Sequence, residues 1–326
     1  MGRVKTLYLS RPNAKQELFF QSRKKYIGYG GARGGGKSWA LRTKFILLAL
    51  NYSGLKLLLL RKTLPELREN HILPMLSQLG GVARYRRDER AFEFPNGSRI
   101  KMGYCDCEDD IYQYQGQEYD VIGIEECTHF TWSQVQFLIT CNRTTRGDFK
   151  PRMYFTGNPG GVGHNWFKRL FVKAQYEKSE NPEDYEFIPA TVDDNYVLMR
   201  NNPEYVSVLD NLPDKLRQAH RYGNWDIFEG QFFEEFRDIA EHYEDRRFTH
   251  VISPFELPSD WQLYRSFDFG YRRPFSCGWW AVDYDGRLYR LLELYGCTKT
   301  PNEGVRWAPD KIFAEISRIE REHRWL

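Results

Sequence analysis

Long hydrophobic runs are missing from this 326-residue sequence. The longest, Phe45 to Leu50 and Leu57 to Leu60, fall far short of the roughly 20 apolar residues that span a bilayer, and no apolar leader follows Met1. The expectation is a soluble, non-secreted chain with no membrane partner. Charge of one sign is also scarce. With 47 basic and 44 acidic side chains the net charge is +3, so any contact with nucleic acid must be local rather than a general basic footprint. Cysteine is sparse: Cys105, Cys107, Cys127, Cys141, Cys277 and Cys297 are scattered, which favours free thiols in a reducing compartment. The tight pair Cys105 and Cys107 lacks the second Cys or His pair that a tetrahedral zinc site needs. Repeats and low-complexity tracts are absent. What is present, 41% hydrophobic and 16% aromatic residues, supplies ample core, and at roughly 150 residues per domain the length suggests about two domains.

Short β-rich segments alternate with helical ones over the first two hundred residues, which points to a parallel sheet covered by helices. Tyr26 to Tyr29, Leu55 to Arg61, Tyr119 to Glu125 and Arg152 to Thr156 read as buried strands. Ser38 to Leu50 carries Leu41, Phe45 and Leu48 at helical spacing, and Thr63 with Glu66 and Thr131 with Gln134 form capping-box patterns. Ala91 to Tyr104, broken at Pro95-Asn96-Gly97-Ser98, reads as a hairpin. A polar loop spans Ser179 to Asp184, and short helical patterns follow around Pro203 and Pro213. From Trp261 the pattern changes: Tyr264 to Phe269, Ser276 to Tyr284 and Arg287 to Tyr295 read as strands, the last two joined at Asp285-Gly286. Asn302 to Leu326 reads as a helix.

Gly31-Ala32-Arg33-Gly34-Gly35-Gly36-Lys37-Ser38 satisfies G-x-x-x-x-G-K-[ST] between a predicted strand and a predicted helix. Glycines let backbone amides turn toward phosphate oxygens, and the helix start adds its positive dipole end. Lys37 is expected on the β- and γ-phosphates of ATP and Ser38 on Mg²⁺. The apolar strand that ends in Glu125-Glu126 supplies the acids such a site needs, Glu125 for the Mg²⁺ shell and Glu126 to orient and deprotonate the attacking water. Thr156 and Asn158, at the end of another strand, are candidate γ-phosphate sensors. Arg33, Arg143 and Arg146 are candidates for stabilising transition-state charge, Arg33 from within the loop. Asp268-Phe269-Gly270 is not read as a kinase motif, because no H-R-D loop precedes it. Arg84, Arg86 and Arg87 form a basic cluster around Tyr85.

Taken together these stretches resemble the large terminase subunit of tailed bacteriophages, over nearly the whole chain. Pro12-Asn13-Ala14-Lys15-Gln16 is similar to the family's adenine-reading motif, with Gln16 the implied base contact. The phosphate loop has the family's arginine-containing form. Tyr114 to Asp120 running into Glu125-Glu126 resembles its Walker B approach, with Glu at 125 where many relatives have Asp. Thr156 to Gly161 resembles the coupling motif, and Tyr222 to Asp226 with Glu229 to Phe233 resembles the segment leading to the nuclease. Phe267-Asp268-Phe269-Gly270 looks like the first strand of the RNase H-like nuclease, with Asp268 its first metal-binding carboxylate.

The resemblance implies an α/β P-loop NTPase of the additional-strand type with a parallel-sheet core at 1–200. A lid or linker at 201–255 and a partial RNase H-like α/β domain at 256–326 would follow. The family's further nuclease acids lie on later elements, and Glu293 and Asp310 are the nearest carboxylates here. It further implies ATP-driven translocation of double-stranded DNA into a procapsid in the host cytoplasm, with Mg²⁺ at the ATPase site and Mg²⁺ or Mn²⁺ at a working nuclease. Implied partners are the portal protein, the small terminase subunit and further copies of this chain in a ring, a neighbour's Arg143 or Arg146 completing each site. Two other readings stay open: a helicase-like or repair P-loop ATPase, and a catalytically incomplete prophage fragment.

Overall fold

A strand that is apolar at consecutive positions must bury both of its faces, and only a sheet covered by helices on both sides allows that. Leu57 and Leu59 go to one core with Ile27, Tyr29, Val121 and Tyr154. Leu58 and Leu60 go to the other with Ile122, Ile124, Met153 and Phe155. The computed structural model describes residues 7–227, 238–247, 249–298 and 302–323. It divides into two units, Met1–Phe232 and Phe233–Leu326.

The first unit holds strands β1 (Tyr26–Gly31), β2 (Lys56–Arg61), β3 (Arg84–Arg86), β4 (Ala91–Glu93), β5 (Arg99–Tyr104), β6 (Val121–Ile124), β7 (Arg152–Gly157) and β8 (Tyr185–Ala190). They form one sheet in the order β3-β4-β5-β2-β6-β7-β1-β8. From β5 to β8 every pairing is parallel, while β3 and β4 add an antiparallel meander at one edge. β8 was not expected as a strand. Pro189 argues against it, and the chain tolerates that proline because β8 is the sheet's outer strand, where a missing N–H breaks no ladder.

Helices α1 (Ala14–Gln21), α2 (Lys37–Asn51), α3 (Leu64–Leu67), α4 (Leu73–Gln78), α5 (Trp132–Cys141) and α6 (His164–Phe167) accompany the sheet. Of the two expected capping boxes, Thr131 and Gln134 form the reciprocal pair, whereas the Thr63 hydroxyl accepts from the Glu66 amide and donates to the Glu66 carboxylate. α7 (Tyr196–Asn201), α8 (Tyr205–Asp210) and α9 (Asp214–Tyr222) follow β8 and belong to this same unit. The division between units therefore falls inside the segment expected as a separate linker at 201–255. The Glu229 to Phe233 part of the expected nuclease-leading motif lies outside the described residues.

The second unit contains β9 (Gln262–Asp268), β10 (Ser276–Val282) and β11 (Leu288–Tyr295), antiparallel in the order β11-β10-β9, and α10 (Pro309–Glu322). The last helix starts later than the expected Asn302, because Pro309 occupies its first turn, where a missing N–H costs nothing. Ile312, Ile316 and Ile319 form its buried stripe against Phe275, Cys277 and Trp279. Glu320 is buried beside them, accepting from Arg265 Nη1 at 2.6 Å and Trp279 Nε1 at 3.1 Å.

The helix that carries the glycine loop, α2, lies against β6 through Leu41 and Phe45. Gly123 of β6 makes this approach possible, since a Cβ there would sit 2.6 Å from Phe45 Cζ. Gly123→Ala should cost about 1–3 kcal/mol of stability through overpacking, read as a lower urea midpoint at unchanged slope. A midpoint equal to wild type would show that the helix and the strand are not tightly packed there.

Candidate phosphate-binding site

Backbone amides can bind an anion only when their carbonyls are turned elsewhere and kept there. Gly34 and Gly36 adopt φ of 79° and 75°, left-handed values that glycine takes without a Cβ clash and that curl the loop back on itself. Four carbonyls around this curl are held by side chains. Asn195 Nδ2 donates to Gly34 O at 2.7 Å, Tyr29 Oη to Gly35 O at 3.2 Å, Gln16 Nε2 to Gly36 O at 3.2 Å and Lys37 Nζ to Ala32 O at 2.6 Å. Burial raises the pKa of the Tyr29 phenol, which keeps it a donor. The loop ends at the first turn of α2, a 15-residue helix with no acidic side chain in that turn, so its dipole is left to an incoming anion.

β1, β7, β6 and β2 run parallel, so their carboxyl ends share one edge of the sheet. A cavity of about 540 Å³ opens there, lined by Arg33, Gly34 to Trp39, Glu126 and Asn158 among others. Both adjacent acids lie at this edge, but they point to different partners. Glu126, in the turn after β6, has φ of 46°, a left-handed conformation that costs a non-glycine residue on the order of 1 kcal/mol and redirects the chain between the two side chains. Asn158 Nδ2 donates to both Glu126 oxygens, at 3.0 and 3.1 Å, while Asn158 Oδ1 accepts from Lys37 Nζ at 2.8 Å. One amide thus joins the loop lysine to the half-buried acid. Burial lowers the Lys37 pKa; Glu126 and Glu125 oppose that, and Arg33 adds to it.

Glu125 turns the other way and is almost fully buried. Its Oε2 accepts from Arg61 Nη1 and from His71 Nε2, the latter at 2.6 Å. Burial alone would raise its pKa, but His71 by field and hydrogen bond, Arg61, and the Ser38 hydroxyl outweigh burial and hold it at about 2. Glu125 Oε1 is buried and has no hydrogen-bond partner. An ionised, unpartnered carboxylate oxygen with a serine hydroxyl at hand is an oxygen donor set suited to a hard divalent cation.

Several expected residues lie elsewhere. Thr156 is buried between strands, its Oγ1 without a partner, and does not line the cavity as Asn158 does. The Gln16 amide faces the protein rather than the cavity: its Oε1 accepts from the Asn13 amide at 2.9 Å while its Nε2 reaches Gly36 O. Its observed work is to hold the loop, because the N-cap of α1 takes the end that a base would need. Arg143 and Arg146 sit before β7, at the amino edge of the parallel strands, where Arg143 lies 3.7 Å from Glu118 and Arg146 bonds Asp148 and Ser53 O. They cannot enter the site of their own chain.

Other cavity residues escaped sequence reasoning. Arg61 ends an apolar strand at the carboxyl edge, a position that itself marks it, but His129, Asn195, Leu198 and Tyr205 carry no local signal. In the second unit Asp268 ends β9 opposite Ser276, whose hydroxyl donates to Glu293 at 2.6 Å. Asp310 lies in the first turn of α10. Among the described residues no three His, Cys, Asp or Glu side chains come together to hold a metal.

A parallel sheet with β7 inserted between the glycine-loop strand and the acidic strand defines a P-loop NTPase fold of the additional-strand class. The phage terminase large subunit profile matches residues 23–220, and the chain belongs to that family. The large terminase of a thermophilic bacteriophage superposes with a TM-score of 0.57 at 17% identity, over 96% of this chain and 74% of that one. The same protein in complex with ADP gives 0.54, and in complex with ATP-γ-S 0.53, each at 18% identity over 95% of this chain and 74% of that one. No curated protein matches the sequence.

α9 also meets the loop: Arg33 N donates to His220 O at 2.8 Å, and Gly223 lies against Gly31 and Ala32. Burial, then the charges of Arg33 and Lys37, lower the His220 pKa from 6.5 to about 4. The unfolded chain therefore takes up this proton first, so stability falls as pH drops from 6.5 through 4 and levels off below. Melting temperatures of His220→Asn should lose this part of the acid slope. An acid slope identical to wild type would show that the proton goes elsewhere.

Proposed function

We propose that this chain is an ATP-driven motor subunit that moves double-stranded DNA into a viral procapsid. The hydrogen-bonded chain Lys37–Asn158–Glu126 carries the reading, because it links the loop lysine, the residue that follows the strand between β1 and β6, and the acid nearest the cavity. Family membership and the ADP and ATP-γ-S complexes of the thermophilic-phage terminase support it.

The triphosphate binds on the amides of Gly34 to Ser38, with Arg33 and Lys37 matching its charge. Ser38 and Glu125 would hold Mg²⁺, which supplies charge neutralisation at the β- and γ-phosphates. Lys37 exchanges its bond to Asn158 for a phosphate oxygen, leaving Asn158 to orient Glu126. Glu126 then takes a proton from the attacking water. Loss of the γ-phosphate returns Lys37 to Asn158, and the change passes into β7. Arg143 or Arg146 of a neighbouring copy completes each site in a ring at the portal, since neither reaches its own. The small terminase subunit would deliver the DNA, in the host cytoplasm.

Asp268 would be the first metal-binding carboxylate of an RNase H-like part, a reading that the antiparallel three-stranded sheet followed by a helix supports.

Glu126→Gln should keep binding of a fluorescent ATP analogue while turnover falls about 10²–10⁴-fold; turnover near wild type would remove Glu126 from the chemistry. Any Mn²⁺-dependent cleavage of plasmid DNA should be lost in Asp268→Ala; cleavage unchanged by that substitution would remove Asp268 from a metal site. Packaging of DNA into proheads separates the motor from an ATPase acting on free DNA.

A further inference from the structure

Glu125 reaches one methylene further than an aspartate would, and two groups in the structure meet its carboxylate. Arg61 comes from the carboxyl end of β2, the strand beside β6, and its guanidinium meets Glu125 Oε2. Arg61 Nε also lies 3.4 Å from Glu66. His71 is fully buried and meets the same oxygen through Nε2. Because the carboxylate can only accept, the ring hydrogen on that side must be on Nε2.

The backbone that presents His71 is itself unusual. Residues Arg68–Ile72 form a π-helical turn between α3 and α4. Pro74 has no N–H to return to the Asn70 carbonyl, and Arg42 Nη1 from α2 fills that place at 2.6 Å. The widened turn is thus stabilised from outside.

We propose that Arg61 and His71 are positioning residues that clamp one oxygen of Glu125, so that the other is reserved for magnesium. The arrangement accounts for two observations together: Oε2 carries both donors, and Oε1 is buried without any. A carboxylate with two free oxygens on a flexible chain would lose rotamer freedom on taking a metal, whereas one already held at Oε2 has lost it beforehand. An aspartate here would be one methylene short of the clamp.

The inference rests on the nucleotide-binding reading above, and the experiment separates the two. Binding of a fluorescent ATP analogue is titrated with Mg²⁺, and measured again in EDTA, for wild type, Arg61→Ala, His71→Ala and His71→Gln. The expected result is a Mg²⁺ half-saturation point raised at least tenfold in both alanine variants. In EDTA the alanine variants should lose clearly less affinity than they lose with Mg²⁺, and His71→Gln, which keeps a donor, should return toward the wild-type midpoint. An unchanged or lower midpoint in a folded Arg61→Ala overturns the clamp. So does an equal loss with and without Mg²⁺, which marks a merely structural role. If His71→Ala does not fold, as its circular dichroism will tell, the Arg61→Ala titration decides alone. Wild type that fails to bind the analogue at all overturns the nucleotide-binding reading itself.

Discussion

The orientation of the peptide units between Ala32 and Lys37 is the constraint on which the site depends. A peptide plane presents either its hydrogen or its oxygen to a cavity, and an oxygen facing a phosphate would repel it. Four side chains counter this by occupying four of the five carbonyls, and they come from α1, β1, α2 and the segment before α7. The loop is therefore shaped by elements spread over nearly two hundred residues, although its glycines are contiguous. Asn195 shows how far the dependence extends, since its Oδ1 also accepts from the Leu198 amide and starts α7 while its Nδ2 holds Gly34.

A second constraint is the strand order. With β7 between β1 and β6, Asn158 stands between the lysine of the loop and the acid of the neighbouring strand, and its amide has one acceptor and one donor end to offer them. A carboxylate there could not donate to Glu126, and a hydroxyl could not span both. The turn at Glu126 completes the arrangement by sending two consecutive acids to opposite sides, one half-open to the cavity and one buried against Arg61 and His71. On the proposed reading, chemistry at the open acid and metal support at the buried one would proceed in different dielectric surroundings.

The parts of the fold that were legible in the sequence were those with a local cause. Leu57 to Leu60 could only be a strand buried on both faces, and Leu41, Phe45 and Leu48 could only be one face of a helix. β8 was hidden by Pro189, whose meaning depends on whether the strand is central or at an edge. The helix α10 was read too long because residues 302–308 share the charged, amphipathic character of the helix without its backbone.

For the site, the sequence by itself determined the glycine loop, the lysine and serine that follow it, and the presence of acids and an asparagine at strand ends. These are matters of backbone conformation and short spacing, which neighbouring residues dictate. Only the tertiary structure decided which acid meets which partner, that the Gln16 amide is spent on the loop, that Arg143 and Arg146 lie at the far edge, and that Arg61 and His71 close around Glu125. Those contacts join residues as far apart in the chain as Gly34 and Asn195. Nothing in local propensity encodes them; they arise when parallel strands bring their carboxyl ends to one edge and burial forces every charged group there to find a counterpart.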